Sequence, residues 1–275
     1  MNTPPSFVYF GTPSVAHDTL AFLLAHGFVP ALVVTAPDAP RGRGLVLTPS
    51  EAKALALAHH IPVYTPPTLD EDAIAFIQAY RCDYAIVVAY GKIFPDALIA
   101  IFPQGVINVH YSLLPKYRGA TPLESALLAG ESTTGVSIQK MARELDAGDI
   151  LAQEATPITP EETARELRPR LITLGAQLLV RTLPAYLQGG LKASPQDAAY
   201  ATRARKLKKE DGLLTLEAPA LENWNKYRAY ADTIGTYFFE NNTRFKITKA
   251  SFKNNIFLIE RVIPEGRRET TYVVH

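Results

Sequence analysis

The sequence predicts an α/β protein with a doubly wound, mostly parallel sheet, followed by a small β-rich domain. Short apolar runs alternate with helix-like segments of roughly ten to fifteen residues over the first two thirds of the chain, as in right-handed βαβ units. Residues 84–89 are apolar without interruption, which is typical of a central parallel strand covered on both faces. Beyond residue 206 short strand-like runs predominate.

The chain begins with a predicted strand, residues 7–10, an apolar run that ends at a glycine. Ser14 can cap the helix that follows, which is predicted to end near Gly27. Residues 29–35 form a second strand-like run. The next segment, residues 37–44, is dense in proline, glycine and arginine, and this composition predicts a loop.

The middle of the large domain continues the same alternation. Helices are predicted over residues 50–59, with Ser50 as N-cap, and over residues 70–81. A short strand at residues 61–64 separates them, and residues 105–109 form another strand. In such sheets ligands bind beyond the carboxyl ends of the parallel strands, so the loops at those ends are the predicted site.

The domain organisation follows from the second half of the chain. A long helix is predicted over residues 161–187, so the large domain is assigned to residues 1–190. Residues 191–205 are polar and poor in strand signals, and we predict a linker there. Residues 206–275 form the small domain, with a helix at residues 223–234. Its strands are predicted at residues 245–247, 256–259 and 272–274.

Composition restricts the class of protein. Cys82 is the one cysteine, so an internal disulfide is excluded. The amino-terminal residues do not resemble a signal peptide and no apolar run is long enough to cross a membrane, so a cytoplasmic protein without membrane contact is predicted. Residues 201–275 hold 14 basic against 9 acidic side chains, although the whole chain has a formal net charge of only +1. This asymmetry is compatible with a polyanionic partner or with ordinary surface variation.

Three polar residues could carry chemistry. Asn108 and His110 alternate on one strand, so both side chains point to the same face. An amide N–H can stabilise an oxyanion, and an imidazole transfers protons near neutral pH. Asp146 lies in a glycine-containing turn, and a carboxylate beside His110 would favour its protonated form. Each residue alone is more often structural, because a turn aspartate usually caps its own backbone.

Other motifs do not point to a function. His59 and His60 are adjacent at a predicted helix end, and adjacent residues do not face each other on a helix, so a metal site is not predicted. Cys82 has no CxxC partner. The sequence contains neither G-x-G-x-x-G nor the phosphate-binding P-loop motif, so neither dinucleotide nor ATP binding is supported.

The segment Asn108–Gly119 together with Leu145–Asp149 resembles the 10-formyltetrahydrofolate-dependent formyltransferases. The resemblance implies a Rossmann-like fold and transfer of a formyl group from the N10 atom of the folate to a primary amine. It also implies that Asn108, His110 and Asp146 are the catalytic residues and that no metal is needed. By the same resemblance the folate is held mainly by main-chain contacts. The residues expected to bind it are Tyr90, Gly91, Ile93, Ser112, Leu113, Leu114 and Pro115.

Upstream residues resemble one branch of this family. Phe10–Pro13 and Ala36–Gly44 are similar to the enzymes that formylate initiator methionyl-tRNA, in which the arginine-rich loop is thought to enter the acceptor end. The resemblance therefore implies initiator methionyl-tRNA as partner and a monomeric enzyme. The expected substrate-binding residues are Arg41, Arg43, Lys116, Arg118, Arg205, Lys206, Lys208 and Lys209. Such contacts to phosphates give affinity that depends on salt but not on base sequence.

Two alternatives stay open. A sugar-nucleotide N-formyltransferase would use the same three residues, and Arg41 and Arg43 could bind its diphosphate. An RNA-binding protein on an inactive transferase fold is the second alternative, although the intact trio argues against it.

Two departures from the family pattern bear on the site. Tyr111 stands where the family usually has a small residue or proline, so it either reshapes the pocket edge or points away. The small domain is a reduced version of the family's barrel, because sequence is missing between Lys249 and Ile256.

Overall fold

A computed structural model describes residues 5–42 and 44–273. The strands, in chain order, are β1 (Phe7–Gly11), β2 (Leu32–Val34), β3 (Ala39–Arg41), β4 (Val46–Thr48), β5 (Val63–Tyr64), β6 (Tyr84–Val88), β7 (Val106–His110), β8 (Arg118–Gly119), β9 (Thr133–Lys140), β10 (Ile150–Pro157), β11 (Arg203–Ala204), β12 (Thr236–Glu240), β13 (Thr243–Lys253), β14 (Ile256–Pro264) and β15 (Thr270–Thr271). The helices are α1 (Ser14–Ala25), α2 (Glu51–Ala58), α3 (Glu71–Gln78), α4 (Asp96–Ala100), α5 (Pro122–Leu128), α6 (Ala164–Leu187) and α7 (Ala220–Tyr230).

The central sheet has seven strands in the order β10-β9-β7-β6-β1-β2-β5. Five neighbouring strands, β7, β6, β1, β2 and β5, run parallel, which confirms the predicted doubly wound, mostly parallel sheet. Strand β9 pairs antiparallel with β7 and extends the sheet towards β10. Both added strands were absent from the sequence prediction.

The middle of this sheet is apolar because it is covered on both faces. Every residue of β1 and β6 is buried, as the uninterrupted apolar runs predict. Phe10 lies edge-on against the rings of Tyr90 and Phe94, with centroids 5.5 and 4.9 Å apart. These aromatic residues follow β6, so they fix the loop at its carboxyl end to the core.

One of the two helix caps predicted from the sequence is confirmed, and the structure adds Asp70 as the cap of α3. Ser50 Oγ accepts a hydrogen bond from Lys53 N at 3.1 Å, and Asp70 Oδ1 accepts one from Ala73 N at 3.0 Å, so both residues are N-caps. The predicted cap Ser14 is wrong. Pro13 occupies the cap position without a side-chain bond, and Ser14 is the first helical residue.

Two segments predicted to be irregular are ordered. The proline- and arginine-rich loop is a hairpin, in which β3 pairs antiparallel with β4. The predicted linker contains β11, which pairs in parallel with β8, and Ser194, which exchanges main-chain hydrogen bonds with Ile150. Both predictions missed pairing because these strands are too short to show an alternating pattern.

The carboxy-terminal sheet confirms the predicted small β-rich domain. Its four antiparallel strands lie in the order β12-β13-β14-β15, and α7 packs on them through Trp224 and Tyr227. Asn254 and Asn255 join β13 to β14 with positive φ angles of 51° and 61°, as a two-residue hairpin turn requires. The turn lies where the sequence departs from the family barrel.

Contacts divide the chain into two compact units that interleave along the sequence. The first unit contains residues 1–115, 135–154 and 171–201, and the second contains residues 116–134, 155–170 and 202–275. Sequence patterning placed continuous boundaries at residues 190 and 205 instead, and these boundaries stay a prediction. Helices long and apolar enough to cross a membrane are absent from the part of the chain that the structure describes.

Candidate active site

Strand β7 brings Asn108 and His110 to the carboxyl end of the parallel sheet. Asn108 pairs across the sheet with Gln139 of β9, and His110 pairs with Ser137. His110 is buried, with 4% of its surface exposed, and Asn108 is half-buried. Two residues of β9 therefore lie beside the two predicted catalytic residues of β7.

The Asp146 turn lies against the end of β9. Asp146 has a φ of 52°, and a Cβ atom built on Gly148 would lie 1.7 Å from the carbonyl oxygen of Lys140. Only glycine allows this approach of main chain to main chain. Gly148 thus allows the turn to pack against the main chain at the end of β9.

The three predicted catalytic side chains lie together in the structure. Asn108 Nδ2 donates to Asp146 Oδ1 at 3.4 Å, and His110 Nδ1 lies 3.6 Å from Asp146 Oδ2. The two side chains of the His110–Asp146 pair are 5% and 9% exposed. At this distance a protonated imidazole forms an ion pair with the carboxylate, and burial strengthens the attraction.

Two glutamines that the sequence analysis did not single out complete this cluster. Gln139 Nε2 donates to Asp146 Oδ1 at 3.0 Å. Gln196 Nε2 donates to the carbonyl oxygens of Asp146 and Gly148 at 2.8 and 2.7 Å. Recognition of β9 as a neighbour of β7 would have pointed to Gln139. Gln196 lies in the predicted linker and carries no comparable signal.

The turn that follows His110 is held by one buried hydroxyl. Ser137 Oγ donates to the carbonyl oxygen of Ser112 at 2.6 Å and accepts from Leu114 N at 3.0 Å and from Gln153 Nε2 at 2.8 Å. Ser112 and Leu114 are buried, Leu113 is half-buried, and the Leu114–Pro115 peptide bond is cis. The predicted folate turn is therefore fixed by strand β9.

The second predicted folate segment follows β6. The Tyr90 ring is buried in the core, and burial, with a contribution from Tyr64, raises the pKa of its phenol to about 12. Gly91 is exposed with a φ of 81°, and Ile93 is 90% exposed. Lys92 Nζ donates to the carbonyl oxygens of Pro66 and Pro67 at 2.6 and 2.8 Å, and burial lowers its pKa. Strands β6 and β7 are parallel neighbours, so both predicted folate segments leave the same edge of the sheet.

Tyr111 points away from the Asn108–His110 face, which decides between the two readings of this departure. A Cβ atom on Gly175 of α6 would lie 3.3 Å from Tyr111 Cε1. Val109 Cγ1, on the same face of the strand as Tyr111, would lie 3.1 Å from the same Cβ atom. Burial raises the pKa of the Tyr111 phenol well above its usual value. The ring therefore packs against α6.

The basic residues expected to bind substrate are placed in different ways. Arg43 lies outside the described residues, and of Arg41 only the main chain, at the end of β3, is described. Lys116 Nζ lies 2.9 Å from Glu131 Oε1, and this bond lowers the pKa of Glu131. Arg118 is 6% exposed and lies in β8, which pairs with β11. The low exposure of Arg118 does not favour the expected contact with phosphates, and its role stays a prediction.

The basic run near β11 lies at the surface. Lys206, Lys208 and Lys209 are exposed. Arg205 forms a bidentate ion pair with Asp211, which lowers the pKa of that carboxyl to about 2. Three lysines of this run thus present charge to solvent, while the arginine is paired within it.

Groups of three or more histidine, cysteine, aspartate or glutamate side chains that could hold a metal ion are absent from residues 5–42 and 44–273. The chemistry of the cluster instead consists of two amides, an imidazole and a carboxylate. Such a group can stabilise an oxyanion and move a proton.

Comparison with known proteins defines the class to which this fold and cluster belong. The family model described as formyl transferase matches residues 7–183, and the model of the formyl transferase C-terminal domain matches residues 206–267. The chain belongs to the formyl transferase family.

Named relatives place it more narrowly. A methionyl-tRNA formyltransferase of Chloroflexus aurantiacus is 41% identical over 245 residues, which cover 89% of this chain and 79% of the relative. A methionyl-tRNA formyltransferase of Koribacter versatilis is 45% identical over 233 residues, covering 84% and 74%.

Solved structures show the same fold at lower identity. An N-formyltransferase of Helicobacter canadensis, in complex with folinic acid and dTDP-3-aminofucose, superimposes with a TM-score of 0.70 at 20% identity, covering 91% of this chain and 88% of that chain. A phosphoribosylglycinamide formyltransferase of Bacillus halodurans superimposes with a TM-score of 0.54 at 21% identity, covering 67% and 94%. At these identities the likeness concerns the fold alone.

Proposed function

We propose that this formyltransferase transfers the formyl group of 10-formyltetrahydrofolate to the amino group of initiator methionyl-tRNA. The observation that carries the chemistry is the buried cluster in which Asn108 Nδ2 and His110 Nδ1 both face the Asp146 carboxylate, at 3.4 and 3.6 Å. The relatives named methionyl-tRNA formyltransferase, at 41% and 45% identity over most of the chain, support the acceptor.

The reaction exchanges one C–N bond for another. The amine of the acceptor attacks the formyl carbon, and Asn108 and protonated His110 stabilise the oxyanion of the tetrahedral intermediate. The bond from the carbon to N10 then breaks. The proton lost by the amine is passed to N10, with Asp146 accepting it through water or His110 relaying it. Asp146 also orients His110 and favours its charged form, because an anion beside an imidazole stabilises the imidazolium.

The folate would lie at the sheet edge shared by β6 and β7. The loop with Tyr90, Gly91 and Ile93 and the turn from Ser112 to Pro115 flank this edge. Ser137 already satisfies polar groups of the turn, so its geometry is fixed before the cosubstrate binds. The Tyr90 side chain is buried, so we assign its role to the main chain.

Surface groups of two kinds support a tRNA acceptor. The β3–β4 hairpin exposes three consecutive apolar side chains, Leu45, Val46 and Leu47, which are 66% to 71% exposed. An exposed apolar run of this kind marks an interaction site, and unpaired bases at an acceptor end would cover it. The exposed lysines 206, 208 and 209 supply charge for the phosphates.

The change His110→Ala tests the chemistry. We expect loss of turnover with binding of methionyl-tRNA nearly unchanged, because the imidazole acts on the reacting atoms and not on the phosphates. His59→Ala, at an exposed helix end, is the matched control and should retain activity. Equal turnover of His110→Ala and wild type would remove the proposed mechanism.

The acceptor is tested by comparing formyl transfer to methionyl-tRNA with transfer to a panel of amino-sugar nucleotides. We expect turnover with the tRNA and little with the sugars. Clear turnover of a sugar nucleotide, without turnover of the tRNA, would assign the acceptor to the alternative class.

We also propose that the enzyme is a monomer and that it works in the cytoplasm, where translation consumes its product. A single species near 30.2 kDa by sedimentation is the expected result, given the mass of one chain. A dimer at the same concentrations would contradict the monomer.

A further inference from the structure

Two glutamines hold the Asp146 turn in place, one at its side chain and one at its main chain. Gln139 Nε2 lies 3.0 Å from Asp146 Oδ1, closer than the 3.4 Å that separates Asn108 Nδ2 from the same oxygen. Gln139 is 1% exposed, so this contact is shielded from competition by water. A hydrogen bond to a charged group in such surroundings is stronger than an exposed one.

The orientation of the Gln139 amide follows from its partners. An ionised carboxylate accepts hydrogen bonds and cannot donate them, so the amide nitrogen must face Asp146. The amide oxygen then faces Gln196 Nε2, at 3.4 Å. Gln139 thus connects Asp146 with Gln196, by a hydrogen bond on one side and a longer contact on the other, and Asp146 Oδ2 lies beside His110.

Gln196 fixes the main chain of the turn. Its amide has two N–H donors, and the carbonyl oxygens of Asp146 and Gly148 accept from it at 2.8 and 2.7 Å. The segment around Gln196 is itself anchored, because Ser194 exchanges two main-chain hydrogen bonds with Ile150. Gln196 therefore ties the turn to a segment that is itself bonded to Ile150.

We propose that Gln139 and Gln196 are positioning residues for formyl transfer, acting through Asp146. This inference rests on the proposed function, since it assigns them to the site that carries out that reaction. Gln139 holds Oδ1 of the carboxylate and thereby directs Oδ2 at His110. Gln196 holds the main chain of the turn, so that the Asp146 carboxylate stays beside the imidazole. A carboxylate that rotates freely would orient His110 less well, and small misplacements of a catalytic group lower kcat strongly.

The test is the change Gln139→Met, which keeps length and volume and removes the amide. We expect kcat to fall roughly 10- to 100-fold, the range seen when a residue that orients a functional group is lost. The KM values for the folate and for methionyl-tRNA should change little, because Gln139 holds the carboxylate and not a substrate. Gln139→Glu should lose at least as much, since a second carboxylate would repel Asp146. The exposed Gln78→Met is the matched control, with wild-type kcat.

A double-mutant cycle separates positioning from simple packing. If Gln139 acts through Asp146, Gln139→Met should have almost no further effect on single-turnover rates in an Asp146→Asn background, because the partner is already lost. Full additivity of the two changes would overturn the inference. Wild-type kcat of Gln139→Met, in a protein that melts like the wild type, would also overturn it.

Gln196→Met extends the test to the main chain of the turn. We expect a fall in kcat with both KM values retained, and wild-type kcat would remove Gln196 from the proposal. Should Asp146→Asn itself retain full activity, the proposed mechanism fails and not merely the role of the glutamines. The two failures are thus distinguishable.

Discussion

The hydroxyl of Ser137 makes three hydrogen bonds, two of them buried and to main-chain groups of the turn after the catalytic strand. It donates to the carbonyl oxygen of Ser112 and accepts from Leu114 N and Gln153 Nε2. Removal of this hydroxyl would therefore take the acceptor away from the buried Leu114 N–H and break two further hydrogen bonds, although Gln153 Nε2 keeps the carbonyl oxygen of Leu114 as acceptor. A buried donor without an acceptor costs more than the hydrogen bond itself contributes.

Ser137→Ala should accordingly weaken both the protein and the folate site. We expect a loss of about 1 to 3 kcal/mol in the free energy of unfolding, because the buried Leu114 N–H loses its acceptor. We also expect a higher KM for 10-formyltetrahydrofolate, since the turn no longer has a fixed shape. Urea unfolding and steady-state kinetics measure the two effects. Ser14→Ala, at an exposed helix start, is the control, and a similar loss there would contradict this reading.

The Tyr90 phenol makes the stability of the protein depend on pH. It is buried, and its oxygen has no hydrogen-bond partner among the described residues. Its pKa in the folded protein, about 12, lies above the ordinary value of 10.0. The stability that follows from the raised pKa is complete below pH 10 and is lost as the pH rises from 10 to about 12, since the unfolded chain releases this proton more easily.

Tyr90→Phe should therefore gain stability relative to wild type at alkaline pH. At pH 7 we expect equal or slightly higher stability, because a hydroxyl without a partner contributes nothing to the core. By pH 12 the difference should reach on the order of 2 kcal/mol in favour of the variant. Urea unfolding at several pH values measures this. The 70% exposed Tyr200→Phe is the control, and parallel profiles for Tyr90→Phe and wild type would refute the argument.

At the scale of single elements, the two loops that leave β6 and β7 are fixed by different means. The turn after β7 is held by β9, while the loop after β6 is tied to residues 66–67 by Lys92. Lys92 also lies 5.7 Å from the centre of the Tyr90 ring. One flexible side chain thus connects two loops at the sheet edge where we place the folate.

Lys92→Met should loosen the loop without touching the reacting atoms. We expect the KM for 10-formyltetrahydrofolate to rise several-fold and kcat to stay near wild type, because binding and chemistry depend on different groups. Lys53→Met, which breaks a more exposed ion pair with Asp38, should leave both constants unchanged. A fall in kcat without a change in KM would show that Lys92 acts on the catalytic cluster instead.

The sequence predicted those elements whose own pattern defines them. Strands β1 and β6 are apolar throughout, and Ser50 caps α2 as its residue type suggests. Asn108 and His110 could be placed on one face because side chains alternate along a strand. Gln139 could not be found in this way. Its role depends on the antiparallel pairing of β9 with β7, which is a long-range contact that no local pattern records.

Short pairings were missed for the same reason. The β3–β4 hairpin has three residues in each strand, and β8 and β11 have two residues each. Patterns of such length do not differ from those of a loop, and tertiary contacts decide their conformation. Arg118 lies in one of these short strands and is 6% exposed, which an arginine in a polar segment does not suggest.

On the scale of the whole molecule, the second compact unit is assembled from three separate stretches of chain. Helix α5 packs against α7, and Arg228 of α7 donates to the carbonyl oxygen of Leu127 at 3.5 Å. Trp224 Nε1 donates to the carbonyl oxygen of Pro160 at 2.9 Å. The packing of α5 and of Pro160, which precede the predicted linker, therefore depends on α7, which follows it.

A chain that ends at Ala201 tests this dependence. It lacks α7 and β11, so the apolar side chains of α5, such as Leu123 and Leu127, lose their cover. We expect the truncated chain to bind a hydrophobic dye and to melt well below the full-length protein. Calorimetry of the two chains measures the difference. Equal melting temperatures would instead support the continuous domain boundaries at residues 190 and 205.

The interleaving of the two units also sets the order of events during synthesis. Leu128, the last residue of α5, leaves the ribosome about 90 residues before the first residue of α7, which at roughly 5 to 20 residues per second is a delay of several seconds or more. Throughout that interval the side of α5 that packs on α7 in the folded protein is uncovered, although residues 155–170 of the same unit are already made. We expect chaperones that bind apolar segments to recognise this face, and a pause in translation between residues 128 and 220 would lengthen its exposure.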